Sequence, residues 1–312
     1  MTTLPAPSEE KNMPRLPLVS TVDKLERAAW LDPAAGTVSR LVKKTLPPGS
    51  VTDALHGVPL GHPVHPLMVI VPLGAWVSAA VLDLLPGNER AAKTLVALGV
   101  LSAMPTALTG VTDFSQLDTQ QQRTGVVHEA STAVATVLYA ASWLARNRGE
   151  HGNGKLLGFA GLAVSGIGGF LGGHLSYRQG AGVNRNEDLP EEVPSGWHSL
   201  GPVEGFPEGR PRPAQLGGVP LMVLRREGTD GEDGTGIISV LADTCSHLGG
   251  PLHEGHLQES RGQLCVVCPW HGSVFSVESG EVVHGPATAP QPVFRTRVRE
   301  GRLEVSLTGA ED

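Results

Sequence analysis

The chain has 312 residues, which is long enough for two domains. Its three cysteines are too few, and odd in number, so a disulfide-rich secreted framework is excluded. The net charge of −7 is uneven, because residues 1–190 carry 15 Lys and Arg against 14 Asp and Glu, whereas residues 191–312 carry 9 against 17. The acidic C-terminal part excludes nucleic-acid binding.

The first 55 residues form a polar, proline-containing segment in which we expect only short helices. The chain does not start with basic residues followed by an apolar core, so no signal peptide is predicted. Together with the cysteine content, this favours a cytoplasmic location for the domain that follows the apolar segments.

Four apolar segments of about 20 residues follow the polar segment. They carry almost no charge, are rich in Ala, Gly, Ser and Thr, and are joined by short charged connections. A soluble four-helix bundle is the alternative, but it would need charged stripes facing water. We therefore predict a four-helix membrane domain at residues 56–178 that crosses the lipid bilayer with spans at 66–85, 94–112, 127–145 and 156–175.

The composition changes again after the apolar segments. Residues 179–195 are polar and contain Gly and Pro, which predicts a linker. Beyond them, short runs rich in Val, Ile and Leu alternate with turn residues, the pattern of a small antiparallel β domain at residues 196–309. The predicted fold class is α + β multidomain, a four-helix transmembrane bundle followed by a small antiparallel all-β domain.

Two short motifs in the β domain place a cysteine beside a histidine. Cys245 and His247 form a C-x-H pair, and Cys268 and His271 form a C-x-x-H pair. Two loops that each offer one thiolate and one imidazole suit a two-iron cluster, in which one iron takes both cysteines and the other both histidines. A zinc site that uses Cys265, Cys268, His271 and one residue of the first motif is the alternative. A thiol-redox C-x-x-C pair is less favoured, because no βαβ context surrounds it.

The stretches CSHLGGPLHEGHL and CPWHGSVFSVESGEVVHGPA, which contain these motifs, resemble a Rieske iron–sulfur domain. The resemblance implies a [2Fe-2S] cluster whose ligands are Cys245, His247, Cys268 and His271. In this ligand set Cys265 is not a ligand, and it is predicted to be a buried thiol. Gly250 and Trp270 stand where quinol-oxidising Rieske proteins carry an additional disulfide, so the resemblance is to the ferredoxin-like subclass.

The apolar region resembles a second family, the domain-of-unknown-function 2231 family of uncharacterised bacterial membrane proteins. The stretches LHGVPLGHPVHPLMVIVPLGAW, TALTGVTDF and GGHLSYRQGAGV carry this resemblance, which covers roughly residues 50–183. The family name implies no mechanism. In a four-span topology, five ionisable residues lie at one end of the bundle, on the side of the β domain: His62, His65, Asp113, His128 and His174.

Three roles remain open for these membrane residues. They could ligate a b-type haem or another metal, hydrogen-bond a quinone, or only cap helices at the lipid–water interface. His128 and His174 are the first candidates for haem ligands, because both fall within helical segments.

These patterns together predict a membrane-anchored Rieske-type electron-transfer protein. It would pass single electrons between a redox partner protein, a reductase or terminal acceptor, and a second group, by way of a haem or quinone site in the membrane domain. The alternative is an iron–sulfur redox sensor or scaffold. Only 41 residues follow His271, too few for the catalytic domain of a Rieske oxygenase, so no self-contained oxygenase activity is expected. The expected location is the cell membrane, multi-pass, with the β domain on the cytoplasmic side.

Overall fold

The computed structural model describes residues 17–228 and 236–307, with side chains from residue 20 onward. Residues 1–16 of the predicted polar segment and 308–309 of the predicted β domain lie outside this range. The described chain begins with helices and ends with strands. The helices are α1 Pro17–Glu26, α2 Asp32–Thr45, α3 Ser50–His56, α4 Val64–Asp83, α5 Glu89–Phe114, α6 Thr119–Asn147, α7 His151–Tyr177 and α8 Leu189–Glu192.

The long helices α4 to α7 cover the four predicted apolar segments, and the last three of them are longer at both ends than predicted. Within the described residues, α4, α5 and α7 are long and apolar enough to cross a membrane. Helix α6 is not in that group, since its first half is polar and includes Arg123 and Glu129. The structure therefore supports three candidate spans and leaves the fourth as a prediction.

Small residues allow the long helices to pack closely. Trp76 of α4 stacks on Tyr139 of α6 with ring centroids 4.2 Å apart and planes 8° from parallel. Gly99 of α5 faces this pair, and a Cβ there would lie 2.1 Å from Nε1 of Trp76. Gly161 of α7 faces the tyrosine ring, where a Cβ would lie 2.9 Å from it. The stacked rings thus need glycine on both neighbouring helices.

The N-terminal helices pack on one end of the bundle through charged contacts. Arg123 of α6 donates to both carboxylate oxygens of Asp32, at 2.7 and 2.8 Å. His174 of α7 contacts Glu26 at 2.7 Å, and Arg178 donates to Asp23 at 2.7 Å. These pairs place α1 and the start of α2 against the ends of α6 and α7.

The β domain consists of two antiparallel sheets. The six-stranded sheet has the order β1-β10-β9-β4-β3-β2, and the four-stranded sheet has the order β5-β6-β7-β8. The strands are β1 His198–Pro202, β2 Arg212–Leu216, β3 Val219–Arg226, β4 Ile237–Ala242, β5 His256–Ser260, β6 Gln263–Val267, β7 Val274–Ser276, β8 Val282–His284, β9 Val293–Arg299 and β10 Arg302–Leu307.

Strand β3 is buried on both faces and divides the interior of the β domain. Leu221 and Val223 belong to a core on one face of the large sheet. Met222 and Leu224, on the other face, pack with Leu252 and with residues of the small sheet. Because successive side chains of a strand point to opposite faces, this alternation follows from the sequence of β3.

The segment predicted as a linker is partly folded against the β domain and is not a free tether. It contains the short helix α8, and Leu189 and Val193 are buried in the core of the large sheet. The backbone N–H of Arg185 also donates to the carbonyl of Ser246 at 3.1 Å. Residues 185–193 therefore pack against the β domain, where the apolar side chains of Leu189 and Val193 are buried.

Helix α3 joins the helical part to the β domain through Asp53, which is buried. One carboxylate oxygen accepts from Nδ1 of His284 at 2.8 Å. The other accepts from the backbone N–H of Gly285 at 3.0 Å. Three residues further on, His56 contacts Asp113 of α5 at 2.7 Å. Since positions three apart lie on the same side of a helix, α3 connects the bundle with the β domain.

Substitution of Asp53 by asparagine is expected to loosen this connection. An amide nitrogen cannot accept the hydrogen bond that one carboxylate oxygen accepts, and a hydrogen bond to a charged group is worth about 1.5–3 kcal/mol. Amide exchange of residues 282–285 in the native protein should therefore become at least about tenfold faster. Glu281→Gln, which removes an exposed carboxylate from the same hairpin, is the control and should leave the exchange rates unchanged. Equal protection in both variants would contradict the role of Asp53.

Candidate metal centre and the adjoining cavity

The two cysteine–histidine motifs lie on two loops with the same internal hydrogen bonds. In the loop after β4, the N–H of Cys245 donates to Gly250 and the N–H of Gly249 donates back to Cys245, both at 2.9 Å. In the loop after β6, the N–H of Cys268 donates to Ser273 at 2.8 Å, and that of Gly272 donates back to Cys268 at 3.1 Å. Gly249 and Gly272 have φ angles of 82° and 75°, a conformation that favours glycine.

Both loops direct backbone N–H groups toward a cysteine sulfur. Those of His247 and Leu248 point at Cys245, and those of Trp270 and His271 point at Cys268. A hydrogen bond from the Cys245 thiol, together with these N–H groups, lowers the pKa of Cys268 to about 6, although burial opposes the shift. The same hydrogen bond and burial raise the pKa of Cys245. The two sulfurs are therefore adjacent, buried and held by donors, as thiolate ligands require.

The two imidazoles of the motifs also converge. The rings of His247 and His271 have centroids 5.1 Å apart and planes 86° from parallel. Nδ1 of His247 is buried and has no hydrogen-bond partner. Burial, followed by the charge of His271, lowers the pKa of His247 to about 3, and burial also lowers that of His271. Neutral imidazoles, one with an unpartnered buried nitrogen, fit metal ligation.

The zinc alternative requires Cys265, and the structure places this residue elsewhere. Cys265 lies with Val267, Val274 and Val283 on one side of the small sheet. Cys268 lies with Cys245 in the core between the two sheets. Among residues 17–228 and 236–307, no three His, Cys, Asp or Glu side chains converge to hold a single ion. The zinc set needs Cys265 and Cys268 on one ion, and their placement in separate clusters disfavours it.

Residues outside the motifs hold the loops in place. The side chain of Gln291 accepts from the N–H of Ser246 at 3.1 Å and donates to the carbonyl of Ala242 at 2.7 Å. The hydroxyl of Ser273 accepts from the N–H of Ala287 at 3.0 Å. Gly250 faces the second loop, where a Cβ would lie 2.9 Å from the sulfur of Cys268. The role of Gln291 was not predicted, since a lone glutamine near a strand gives no sequence signal.

Comparison with known proteins agrees with this arrangement. The family model for the Rieske [2Fe-2S] domain matches residues 196–295, and that for the predicted membrane protein family DUF2231 matches residues 61–185. The chain joins a DUF2231 domain to a Rieske domain. Both family resemblances predicted from the sequence are confirmed.

Relatives of the Rieske domain include ferredoxin subunits and oxygenase components. The anthranilate 1,2-dioxygenase ferredoxin subunit of Burkholderia cepacia is 29% identical over 119 residues, which are 38% of this chain and 99% of that protein. The oxygenase component of 3-ketosteroid-9-alpha-monooxygenase from Mycolicibacterium smegmatis is 35% identical over 27% of this chain, which spans only 19% of that protein. A solved complex of reduced oxygenase and oxidized ferredoxin in carbazole 1,9a-dioxygenase contains a chain 32% identical, with a TM-score of 0.29, covering 35% of this chain and 92% of that one.

A cavity of about 610 Å³ lies where the Rieske domain meets the helices. Four of the five predicted membrane-site residues line it: His62, His65, Asp113 and His128. His247 of the first cluster loop lines it as well. The fifth predicted residue, His174, does not contribute to the cavity wall described here, and its Nε2 contacts Glu26 instead. The Nε2 atom of His174 therefore has a partner on α1, and the ranking of His174 as a haem ligand stays a prediction.

His56 also lines the cavity and was not predicted. Its Nδ1 contacts Asp113, and its Nε2 is buried without a hydrogen-bond partner. It is close enough to His247 for its charge to lower the pKa of that residue. The sequence signal was its place in the stretch LHGVPLGHPVHP, just before the first apolar segment, at the first residue of the predicted membrane domain.

Proposed function

We propose that this protein is a membrane-anchored Rieske electron carrier that passes single electrons between a redox partner and a group in its helical domain. The observation that carries the proposal is the position of His247. It belongs to a cluster loop and also lines the cavity of the helical domain. The cluster site and the histidines of the bundle therefore share one wall.

The proposed ligands are Cys245 and Cys268 on one iron and His247 and His271 on the other. When bound, the [2Fe-2S] cluster supplies one-electron chemistry. The chain's own contribution is the set of N–H groups directed at both sulfurs, which stabilises negative charge there. Burial keeps both imidazoles neutral, so that each offers a lone pair to iron.

We propose that α6 is a fourth membrane span, which makes the protein multi-pass. In support, α6 exposes apolar side chains on its outer face, including Val137, which is 68% exposed, and Leu144, which is 48% exposed. Lipid is the environment that accepts such a surface. Helix α6 also pairs along its length with α7, a candidate span. In this arrangement the Rieske domain lies on the cytoplasmic side of the cell membrane.

The proposed outer partner is a reductase or a terminal acceptor protein. The names of the relatives, a ferredoxin subunit and oxygenase components, support a partner of this kind. Trp270, next to the ligand His271, is 57% exposed and offers an apolar contact beside the cluster. The net negative charge of residues 191–312 favours a partner with a basic docking surface. The inner partner is a haem or a quinone at the cavity.

Optical and paramagnetic-resonance spectra of the detergent-purified full-length protein test this proposal. We expect two irons and two acid-labile sulfides per chain, and a reduced-state resonance typical of mixed histidine–cysteine ligation. Reduction should consume one electron per cluster. A colourless protein with one zinc per chain would refute the carrier function. A cluster that exchanges no electrons with any added reductase or acceptor would favour the sensor or scaffold instead.

A further inference from the structure

We propose that His65 of α4 and His128 of α6 are the two axial ligands of a b-type haem bound in the cavity between the helices and the Rieske domain. The inference deepens the proposed function, because it names the group in the helical domain. The haem site uses none of the proposed cluster ligands, so haem binding does not require the iron–sulfur cluster. It rests on the anchoring of the two rings, their spacing and the walls around them.

Each of the two histidines is anchored through Nδ1 to a neighbouring helix. Nδ1 of His65 lies 3.0 Å from the carbonyl oxygen of Thr106 on α5. Nδ1 of His128 lies 2.8 Å from the carbonyl oxygen of Gly168 on α7. A carbonyl oxygen only accepts, so the proton of each neutral ring is on Nδ1 and the lone pair is on Nε2. Metal-bound histidines are oriented in this way by a backbone carbonyl on the other nitrogen.

The spacing of the two rings suits one iron between them. Their centroids are 6.3 Å apart and their planes are 87° from parallel. A bond of about 2 Å from a metal to each imidazole nitrogen, on opposite sides of the ion, separates ring centroids by about 6 Å. The rings come from two different helices, as in the cofactor sites of helix bundles.

A macrocycle fits this site better than a bare ion does. In the described part of the chain, no three His, Cys, Asp or Glu side chains converge on one point. A haem needs only two axial ligands from the protein, the number that His65 and His128 supply. The cavity of about 610 Å³ is within the size range of cofactor sites.

Glycines form the walls beside both rings. A Cβ at Gly110 of α5 would lie 2.8 Å from Cε1 of His65. A Cβ at Gly172 of α7 would lie 3.1 Å from Cε1 of His128. Gly169, also on the cavity wall, has no other group within 4 Å of its Cβ position. Glycine at positions 110 and 172 lets the two imidazoles pack directly against the backbones of α5 and α7, and the open space at Gly169 belongs to the cavity.

Haem content of the purified full-length protein, after addition of haemin, tests the inference. We expect one haem per chain, with the spectrum of an iron bound by two histidines. His65→Ala and His128→Ala should each reduce bound haem at least about tenfold. His151→Ala is the matched control, since His151 is an exposed histidine at the start of α7, outside the residues that line the cavity. This variant should bind haem as the unmodified protein does.

Three results would overturn the inference. They are no haemin binding by the unmodified protein, full binding by either alanine variant, and a co-purified quinone in the cavity without haem. If an alanine variant does not fold, His65→Met and His128→Met provide a second measurement. They should retain haem, because Met can ligate haem iron, and raise its reduction potential. Cys245→Ser separates the two sites: it should remove the cluster signal and leave the haem in place.

Discussion

Substitution of Cys268 by serine is expected to give a protein that binds no [2Fe-2S] cluster. Serine cannot replace the thiolate, and Cys268 is the proposed ligand whose pKa is lowered to about 6 by the thiol of Cys245 and by backbone N–H groups. We expect the visible absorbance and the paramagnetic signal of the reduced cluster to fall below about a tenth of their normal intensity. Iron and acid-labile sulfide content per chain provide the measurement.

Cys265→Ser is the matched control for this substitution. It is the same chemical change three residues away, at a thiol that lies on the other side of the small sheet, against Val267, Val274 and Val283. The burial of Cys265 raises its pKa, as expected for an inert thiol. We expect this variant to keep its full cluster. If Cys265→Ser loses the cluster while Cys268→Ser retains it, the proposed ligand set is wrong.

Substitution of Asp83 by alanine is expected to cause the largest loss of stability in the helical domain. Asp83, at the end of α4, binds Arg146 of α6 through both carboxylate oxygens, one of them 2.8 Å from Nη1. The two side chains are 3% and 0% exposed. Removal of one partner leaves a buried charge without compensation, which costs about 3–5 kcal/mol. Unfolding in mixed micelles with increasing denaturing detergent should show a loss of this size.

Two further variants define the origin of that loss. Arg148→Ala removes an exposed charge two residues from Arg146 and should change the free energy of unfolding by less than about 0.5 kcal/mol. The double variant Asp83→Leu/Arg146→Met replaces the ion pair by apolar groups and should be close to the unmodified protein in stability. If Asp83→Ala were as stable as Arg148→Ala, the pair would not be buried in the folded protein.

The sequence was sufficient to predict the features that depend on neighbouring residues. In each cluster loop, the cysteine and histidine are separated by one or two residues, and glycines such as Gly249 permit the turn between them. The close approach of the cysteine and the histidine within each loop therefore follows from a local pattern. The four helical segments were also predicted, because each is a mainly apolar run of about the length that spans a bilayer.

The features that the sequence did not predict depend on contacts between distant residues. His174 was placed at the correct end of its helix, but its partner, Glu26, lies 148 positions earlier in the chain. Asp53 and His284 are 231 positions apart. The sequence therefore did not indicate that a short N-terminal helix connects the two domains. Helix α6 shows the same limit, since His128 and Glu129 in its polar first half line the cavity. A hydropathy pattern does not distinguish polar residues that line a binding site at the start of a helix from polar residues that face solvent.

The attachment of the Rieske domain through Asp53 and Arg185 has a consequence for kinetics. A soluble ferredoxin meets its acceptor by diffusion, so its rate of electron delivery depends on the concentrations of both molecules. Here the loop of His247 and the histidine-lined cavity belong to one polypeptide and touch each other. In the proposed function, electron exchange between the cluster and the group in the cavity would be first order, and dilution of the protein would leave its rate unchanged. Only electron transfer between the cluster and the outer partner, beside the exposed Trp270, would slow as the concentration of that partner falls.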